Sequence, residues 1–181
     1  MGRVSLSSTG FYKTPEIHWD PDKRKGRPFY YFVYGAAVSE IILDTLTGES
    51  RVVCVDILHD VGRSINPAID RGQIEGGFAQ GLGWLSMEEL VYADNGTLMT
   101  HSPATYKIPT CSDVPNNWNI AFYEGQGNLA ETINRSKAVG EPPFMLAMSA
   151  FFAYSHALMS LQSQYPNLDS PATAERLYFA Q

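Results

Sequence analysis

Asn66-Pro67-Ala68-Ile69-Asp70-Arg71-Gly72-Gln73-Ile74-Glu75-Gly76-Gly77-Phe78-Ala79-Gln80-Gly81-Leu82-Gly83-Trp84 is the stretch on which the fold turns. Asparagine suits the N-cap, proline the first helical position, and Asp70 falls in the first turn, where the helix dipole favours an acid. The pattern predicts a helix from Pro67 to about Trp84 or Glu89. Gly72, Gly76, Gly77, Gly81 and Gly83 lie inside it, each costing about 1 kcal/mol relative to alanine. Gly72/Gly76 and Gly77/Gly81 are each one turn apart, so both pairs strip side chains from a face. Such a face serves either close packing against another element or the approach of a large cofactor or neighbouring backbone. Spacing alone leaves both uses open.

Working outward, residues 29–44 are dominated by aromatic and β-branched side chains, with Gly35-Ala36-Ala37 in the middle. A turn signal containing Thr47-Gly48 separates them from a second apolar run, residues 50–59, and the two predict an antiparallel hairpin. Residues 90–93 and 97–100 flank Asp94-Asn95-Gly96, a further hairpin signal. Residues 102–117, with Pro103, Pro109 and Pro115, read as a long loop, and residues 118–123 as a strand. The apolar stretch after Pro142-Pro143 predicts a helix to about Gln162. Residues 1–28, rich in Ser, Thr, Pro, Gly and charge, read as irregular, and residues 166–181 as a frayed tail. The order strand, strand, helix, strand, strand, strand, helix predicts an α+β fold. In it, antiparallel hairpins pack with a Gly-rich helix and a long apolar helix over residues 1–181.

Composition excludes some functions. With 44% hydrophobic and 18% charged residues the chain is of ordinary globular type, and a net charge of -6 offers no nucleic-acid surface. The basic cluster from Lys23 to Arg27 reads as a solvated loop. Cys54 and Cys111 form no CxxC pair and suit a reduced, cytoplasmic protein. His18, His59, His101 and His156 lack ligand spacing, so no protein-built zinc or iron–sulfur site is expected. Residues 144–161 approach membrane-spanning length. Ser149, Ser155, His156, Ser160 and the proline start favour a buried helix instead, with no membrane partner. Trp84 and Trp118 read as core or interface residues, and Glu131, Arg135 and Lys137 as surface or pairing charges.

Gly140-Glu141-Pro142-Pro143 carries the chemistry. A residue before proline is pushed out of the α region, so Glu141 is expected on a short extended segment ahead of the helix. The prolines fix the helix start and remove two backbone donors, while Gly140 permits close approach of a ligand. A rigidly aimed carboxylate suits a general base. Judged on this local pattern alone, a capping acid is the commoner outcome.

Read together, several motifs are similar to the molybdopterin-binding region of xanthine dehydrogenases. They are Asp60-Val61-Gly62-Arg63-Ser64-Ile65-Asn66-Pro67-Ala68-Ile69-Asp70, Gly72-Gln73-Ile74-Glu75-Gly76-Gly77 and Gln80-Gly81-Leu82-Gly83. Ser102-Pro103-Ala104-Thr105-Tyr106-Lys107-Ile108-Pro109 and Ser136-Lys137-Ala138-Val139-Gly140-Glu141-Pro142-Pro143-Phe144 resemble the same region. Thr9-Gly10-Phe11-Tyr12-Lys13-Thr14-Pro15 and Arg27-Pro28-Phe29-Tyr30-Tyr31-Phe32 resemble the bacterial form of the large subunit. The likeness follows nearly the whole chain in order.

The resemblance implies the C-terminal part of the large subunit of a molybdenum hydroxylase of the xanthine oxidase/aldehyde oxidase family. It implies oxidation of purines, hypoxanthine or xanthine to urate. Glu141 matches the family's general base, Gln73 a glutamine that contacts the cofactor, and Val139 and Gly140 the same wall. The family's molybdenum is held by the pterin dithiolene, so no side-chain metal ligand is implied. The base takes the proton of a molybdenum-bound hydroxyl, whose oxygen attacks a ring carbon while hydride passes to a terminal sulfur. FAD and 2Fe-2S groups are implied only on other domains or on a partner subunit. The family's substrate-clamping aromatic pair, substrate arginine and second glutamate belong upstream and are not in this sequence. Met1 is therefore expected to be a truncated or artificial start, and the chain alone to bind molybdopterin weakly and not turn over. An aldehyde oxidase, another heterocycle hydroxylase, or a non-catalytic structural remnant are the alternatives.

Overall fold

The computed structural model describes residues 4–162 and 164–181, and the chain divides into two units, Met1–Phe32 and Val33–Gln181. In the first, β1 (His18–Asp20) and β2 (Lys25–Arg27) pair antiparallel, with Trp19 opposite Gly26. Asp20 Oδ1 closes the turn by accepting from the backbone N–H groups of Asp22 (3.1 Å) and Lys23 (3.0 Å). Arg27 pairs with Glu16. Residues 1–28 are thus not wholly irregular, and the basic cluster is half turn, half strand. Strands this short show no alternation, so nothing in the sequence marked them.

In the second unit, β3 (Gly35–Leu43) and β4 (Ser50–His59) form the expected antiparallel hairpin, in register from Gly35↔His59 to Leu43↔Ser50 with a bulge at Glu40/Ile41. Asp44 Oδ1 accepts from Leu46 N–H at 2.7 Å, and Gly48 takes the left-handed conformation (φ 74°) that the turn needs. β5 (Asn117–Phe122) lies on the other edge of β4 and runs parallel to it, so the sheet, ordered β3-β4-β5, is mixed and not wholly antiparallel. The chain returns to β5 by way of a long helix, and a crossover of that kind delivers a parallel neighbour. The hairpin around Gly96 reduces to one bridge, Tyr92↔Leu98, and residues 102–116 carry neither helix nor strand before β5 begins.

The long helix, α1 (Pro67–Ser86), matches its predicted span. Its Ile74, Phe78 and Leu82 join Val55 and Ile57 of β4 in the core, and Phe78 meets Trp118 edge-on at 5.4 Å. The apolar stretch after Glu141 is two elements, a 3-10 turn (Pro142–Ala147) and α2 (Met148–Met159). Two successive prolines withhold N–H groups, and the opening turn winds tightly instead of as α-helix. α2 buries one stripe, Ala150, Tyr154 and Leu158, while Phe152 and Met159 stay exposed, so it is not apolar-packed all round. Among the described residues no helix is long and apolar enough to cross a membrane.

The C-terminal segment is not frayed. Residues 174–179 form α3 (Ala174–Phe179), capped by Thr173 and anchored by Leu177, which is fully buried. Ala172 N–H donates to Leu85 O at 2.7 Å, and Arg176 pairs with Glu89 at 2.7 Å. So short a helix carries no periodic signal, and tertiary anchoring forms it.

Candidate active site

α1 starts where the sequence says, with Asn66 Oδ1 accepting from the N–H groups of Ala68 (3.2 Å) and Ile69 (3.4 Å). Asp70, in its first turn, accepts from Ser64 Oγ at 2.5 Å. From there Gln73, Gly77 and Gly81 follow at i, i+4 and i+8 along one ridge, and residues 140–147 run beside that ridge. A Cβ placed on Gly140 would sit 3.3 Å from Gln73 Oε1; one on Gly77 would meet Gly140 O and Pro143 Cβ, each at 3.2 Å. One on Gly81 would drive into Phe144 O and approach Ala147 Cβ to 2.7 Å. Trp84 continues the contact, stacked on Phe144 at 5.2 Å.

The two glycine pairs therefore do different work. Gly77 and Gly81 let the segment carrying Glu141 lie directly on the helix. Gly72 and Gly76 have nothing within 4 Å of where a Cβ would be, so that strip of α1 is bare and open. It borders Gln73, whose side chain is exposed.

The residues expected in the site come together as a wall. Gln73 faces Gly140, which has no side chain to block the amide, and Glu141 follows directly, exposed. Val139 turns its side chain into the core, so its share of the wall is backbone. One expectation for Glu141 fails, and the local alternative of a capping acid is not seen. Its backbone is helical (φ -99°, ψ -36°), not extended, and its side chain makes no capping hydrogen bond. Phe144 N–H donates to Glu141 O at 3.0 Å, and that turn bond draws the residue into the α region against the pre-proline preference. The carboxylate is thereby left uncommitted to the helix end.

Sequence reading missed the support beneath this wall. Lys137 Nζ donates to Asp60 Oδ2 at 2.6 Å, with side chains only 9% and 13% exposed, and lies 5.2 Å above the Tyr34 ring. His59 is buried, with Nδ1 lacking a partner among the described residues. Burial holds its pKa below the usual histidine value, against the opposing pull of Asp60 and Asp70. Arg135 pairs with Glu131 at 3.3 Å, and Cys54 and Cys111 are free. Among the described residues no cluster of His, Cys, Asp and Glu could hold a metal ion.

A bare helix strip thus lies beside an exposed amide and close in sequence to an exposed carboxylate. The model of the molybdopterin cofactor-binding domain family matches residues 1–115. The chain belongs to that family, and the resemblance read from its motifs holds. It is 48% identical over 191 residues to a xanthine dehydrogenase of Oryza sativa subsp. japonica, covering 98% of this chain and 14% of that protein. It is 47% identical over 181 residues to the xanthine dehydrogenase/oxidase of Rattus norvegicus, covering 96% and 14%. Among solved structures it superposes on quinoline 2-oxidoreductase from Pseudomonas putida 86 with a TM-score of 0.70 at 32% identity, over 78% of this chain and 18% of that one. The aldehyde oxidoreductase of Desulfovibrio gigas gives 0.70 at 25% identity, over 90% and 17%. The α+β fold is thus that of the molybdenum hydroxylases, and the chain, spanning 14% of those xanthine dehydrogenase relatives, is part of a larger protein of the xanthine oxidase family.

The residues present fit a molybdenum-pterin group at this wall. Gly72 and Gly76 leave room for a bulky ligand, Gln73 offers an amide donor and acceptor, and Gly140 keeps the approach clear.

Proposed function

We propose that this chain forms one wall of the active site of a molybdenum hydroxylase that oxidises purines, hypoxanthine or xanthine to urate. Glu141 is its general base. When bound, the molybdenum cofactor supplies the oxygen-transfer and two-electron chemistry. The chain's own task is narrower. The Glu141 carboxylate accepts a proton during the attack on the ring carbon, and Gln73 orients the cofactor by hydrogen bonding. The Gly140 and Val139 backbone keeps the space between them clear. The observation that carries this reading is the closeness of Gln73 to Gly140, where an added Cβ would lie 3.3 Å from Gln73 Oε1, one residue from an exposed, uncapped Glu141.

Residues 1–181 belong, on this reading, to one cofactor-binding domain completed by the rest of the large subunit. FAD and 2Fe-2S groups lie on other domains or on a partner subunit, and the protein works in the cytoplasm. The test is Glu141→Gln in the full-length assembled enzyme. Turnover should fall by about 100- to 10,000-fold with molybdenum content retained, as expected for loss of a positioned base. Unchanged turnover sinks the base and favours a structural remnant. Residues 1–181 alone should hold no stoichiometric molybdenum by metal analysis.

The likeness to an aldehyde oxidoreductase and to a quinoline 2-oxidoreductase favours a second reading, an aldehyde or other heterocycle hydroxylase. A panel of purines, quinoline and aldehydes given to the full-length enzyme separates them, since exclusive turnover of aldehydes or quinoline excludes the purine assignment.

A further inference from the structure

We infer that Asp60 and Lys137 are a positioning pair for Glu141, an inference that rests on Glu141 being the base. Asp60 closes β4 and leads into α1; Lys137 stands just ahead of the Gly140-Glu141 segment. Both carboxylate oxygens of Asp60 are engaged: Oδ1 accepts from Gly62 N–H at 2.9 Å, and Oδ2 accepts from Lys137 Nζ at 2.6 Å. The backbones are joined at the same place. Lys137 N–H donates to Val61 O at 2.9 Å, Arg63 N–H donates to Arg135 O at 3.0 Å, and Gly62 bridges Ser136. Gly62 is left-handed (φ 63°), and a Cβ there would collide with Arg135 O, so this closeness requires glycine.

Beyond Lys137, Val139 is sunk in the core. Past Glu141, Pro143 and Phe144 are seated on Gly77 and Gly81. Glu141 is therefore held between two clamps, and the Asp60 clamp is built on the loop that also launches α1. Fixing that loop fixes Gln73 relative to Glu141. A buried ion pair gains little net stability over apolar side chains of similar size. Its directional constraint on two segments distant in sequence is what an apolar contact would not reproduce.

The test uses the full-length assembled enzyme and whichever of xanthine and benzaldehyde it turns over. Lys137→Met should lower kcat by about 10- to 100-fold, the scale of a misplacement near 1 Å, with KM and molybdenum content kept. Amide exchange at residues 138–141 should quicken by about 10-fold while β4 and α1 exchange as before. In a Glu141→Gln background the same substitution should cost nothing more, because the pair acts through that carboxylate. An equal loss in both backgrounds, exchange raised throughout β4 and α1, or an unchanged kcat each overturn the inference. Should Lys137→Met fail to assemble, Asp60→Asn, nearly isosteric, carries the same cycle. Failure of the base reading is seen separately, as wild-type turnover by Glu141→Gln alone.

Discussion

Replacing Gly81 by alanine tests the contact on which the site's geometry depends. The added methyl would lie 2.7 Å from Ala147 Cβ and closer still to the carbonyl oxygen of Phe144. Ordinary carbon–carbon contact is about 3.5–4.0 Å, so α1 and the 3-10 turn must part by roughly 1 Å. Neither partner can yield as a side chain would, because one is backbone and the other a fully buried alanine. Overpacking costs about 1–3 kcal/mol, and a backbone collision belongs at the upper end. Alanine's better helix propensity returns about 1 kcal/mol. The net expectation is a loss of about 2 kcal/mol, which for a chain of this size lowers the melting temperature by about 4–8 °C.

Tryptophan fluorescence is the natural readout, since Trp84 stacks on Phe144 across the same interface. Gly72→Ala, with open space around its Cβ, should be as stable as the parent or up to about 1 kcal/mol better. Gly77→Ala, with its nearest contacts at 3.2 Å, should lie between the two. If Gly81→Ala unfolds at or above the parent's temperature, the turn does not lie on the helix, and the apposition of Gln73 with Gly140 goes with it.

Gly76→Ala should leave folding unharmed yet reduce molybdenum occupancy of the full-length enzyme, measured by metal analysis. Full occupancy would mean that the bare strip receives something else. Asn66→Ala removes the cap on Ala68 and Ile69 and should cost about 1 kcal/mol in denaturant unfolding; no change would mean that the start of α1 is held elsewhere. Because His59's folded pKa lies below its unfolded value, the unfolded chain binds more protons at mildly acid pH. Stability should therefore fall as pH drops below about 6.5 and stop falling beneath the depressed value. His59→Leu should flatten that slope in urea titrations at several pH values, and an unaltered slope would assign it to another group.

Local chemistry was readable and nonlocal pairing was not. The start of α1 follows from Asn66, Pro67 and Asp70, whose effects are confined to one turn, and the extent of β4 from a run rich in Val and Ile after the Thr47-Gly48 turn. The direction of β5 depends on where the chain returns after α1, which no local pattern encodes. β1, β2 and α3 are too short for periodicity and owe their form to turn bonds or anchoring. Glu141 shows a local rule overridden, since the Phe144 N–H bond outweighs the pre-proline preference. Asp60 and Lys137 stand 77 residues apart, and neither flanking sequence marks the other. The glycines were visible as an oddity, but their division between packing and an open strip required the neighbouring segment.

That division bears on what the chain can do by itself. Gln73, Gly140 and Glu141 are all exposed, and Gly72 and Gly76 open onto empty space. A base gains most when its site excludes water, because directed dipoles and charges act more strongly at low dielectric. The segment between the Asp60 clamp and the Gly77–Gly81 ridge gives Glu141 direction without giving it a dry environment. On the proposed reading, aim and desolvation would come from different stretches of polypeptide, and restoring only the first would restore no rate. Adding the isolated chain to a full-length enzyme inactivated by Glu141→Gln should accordingly leave turnover where it was. Recovery of activity in that mixture would show that residues 1–181 exchange into the assembled site and find their closing wall there.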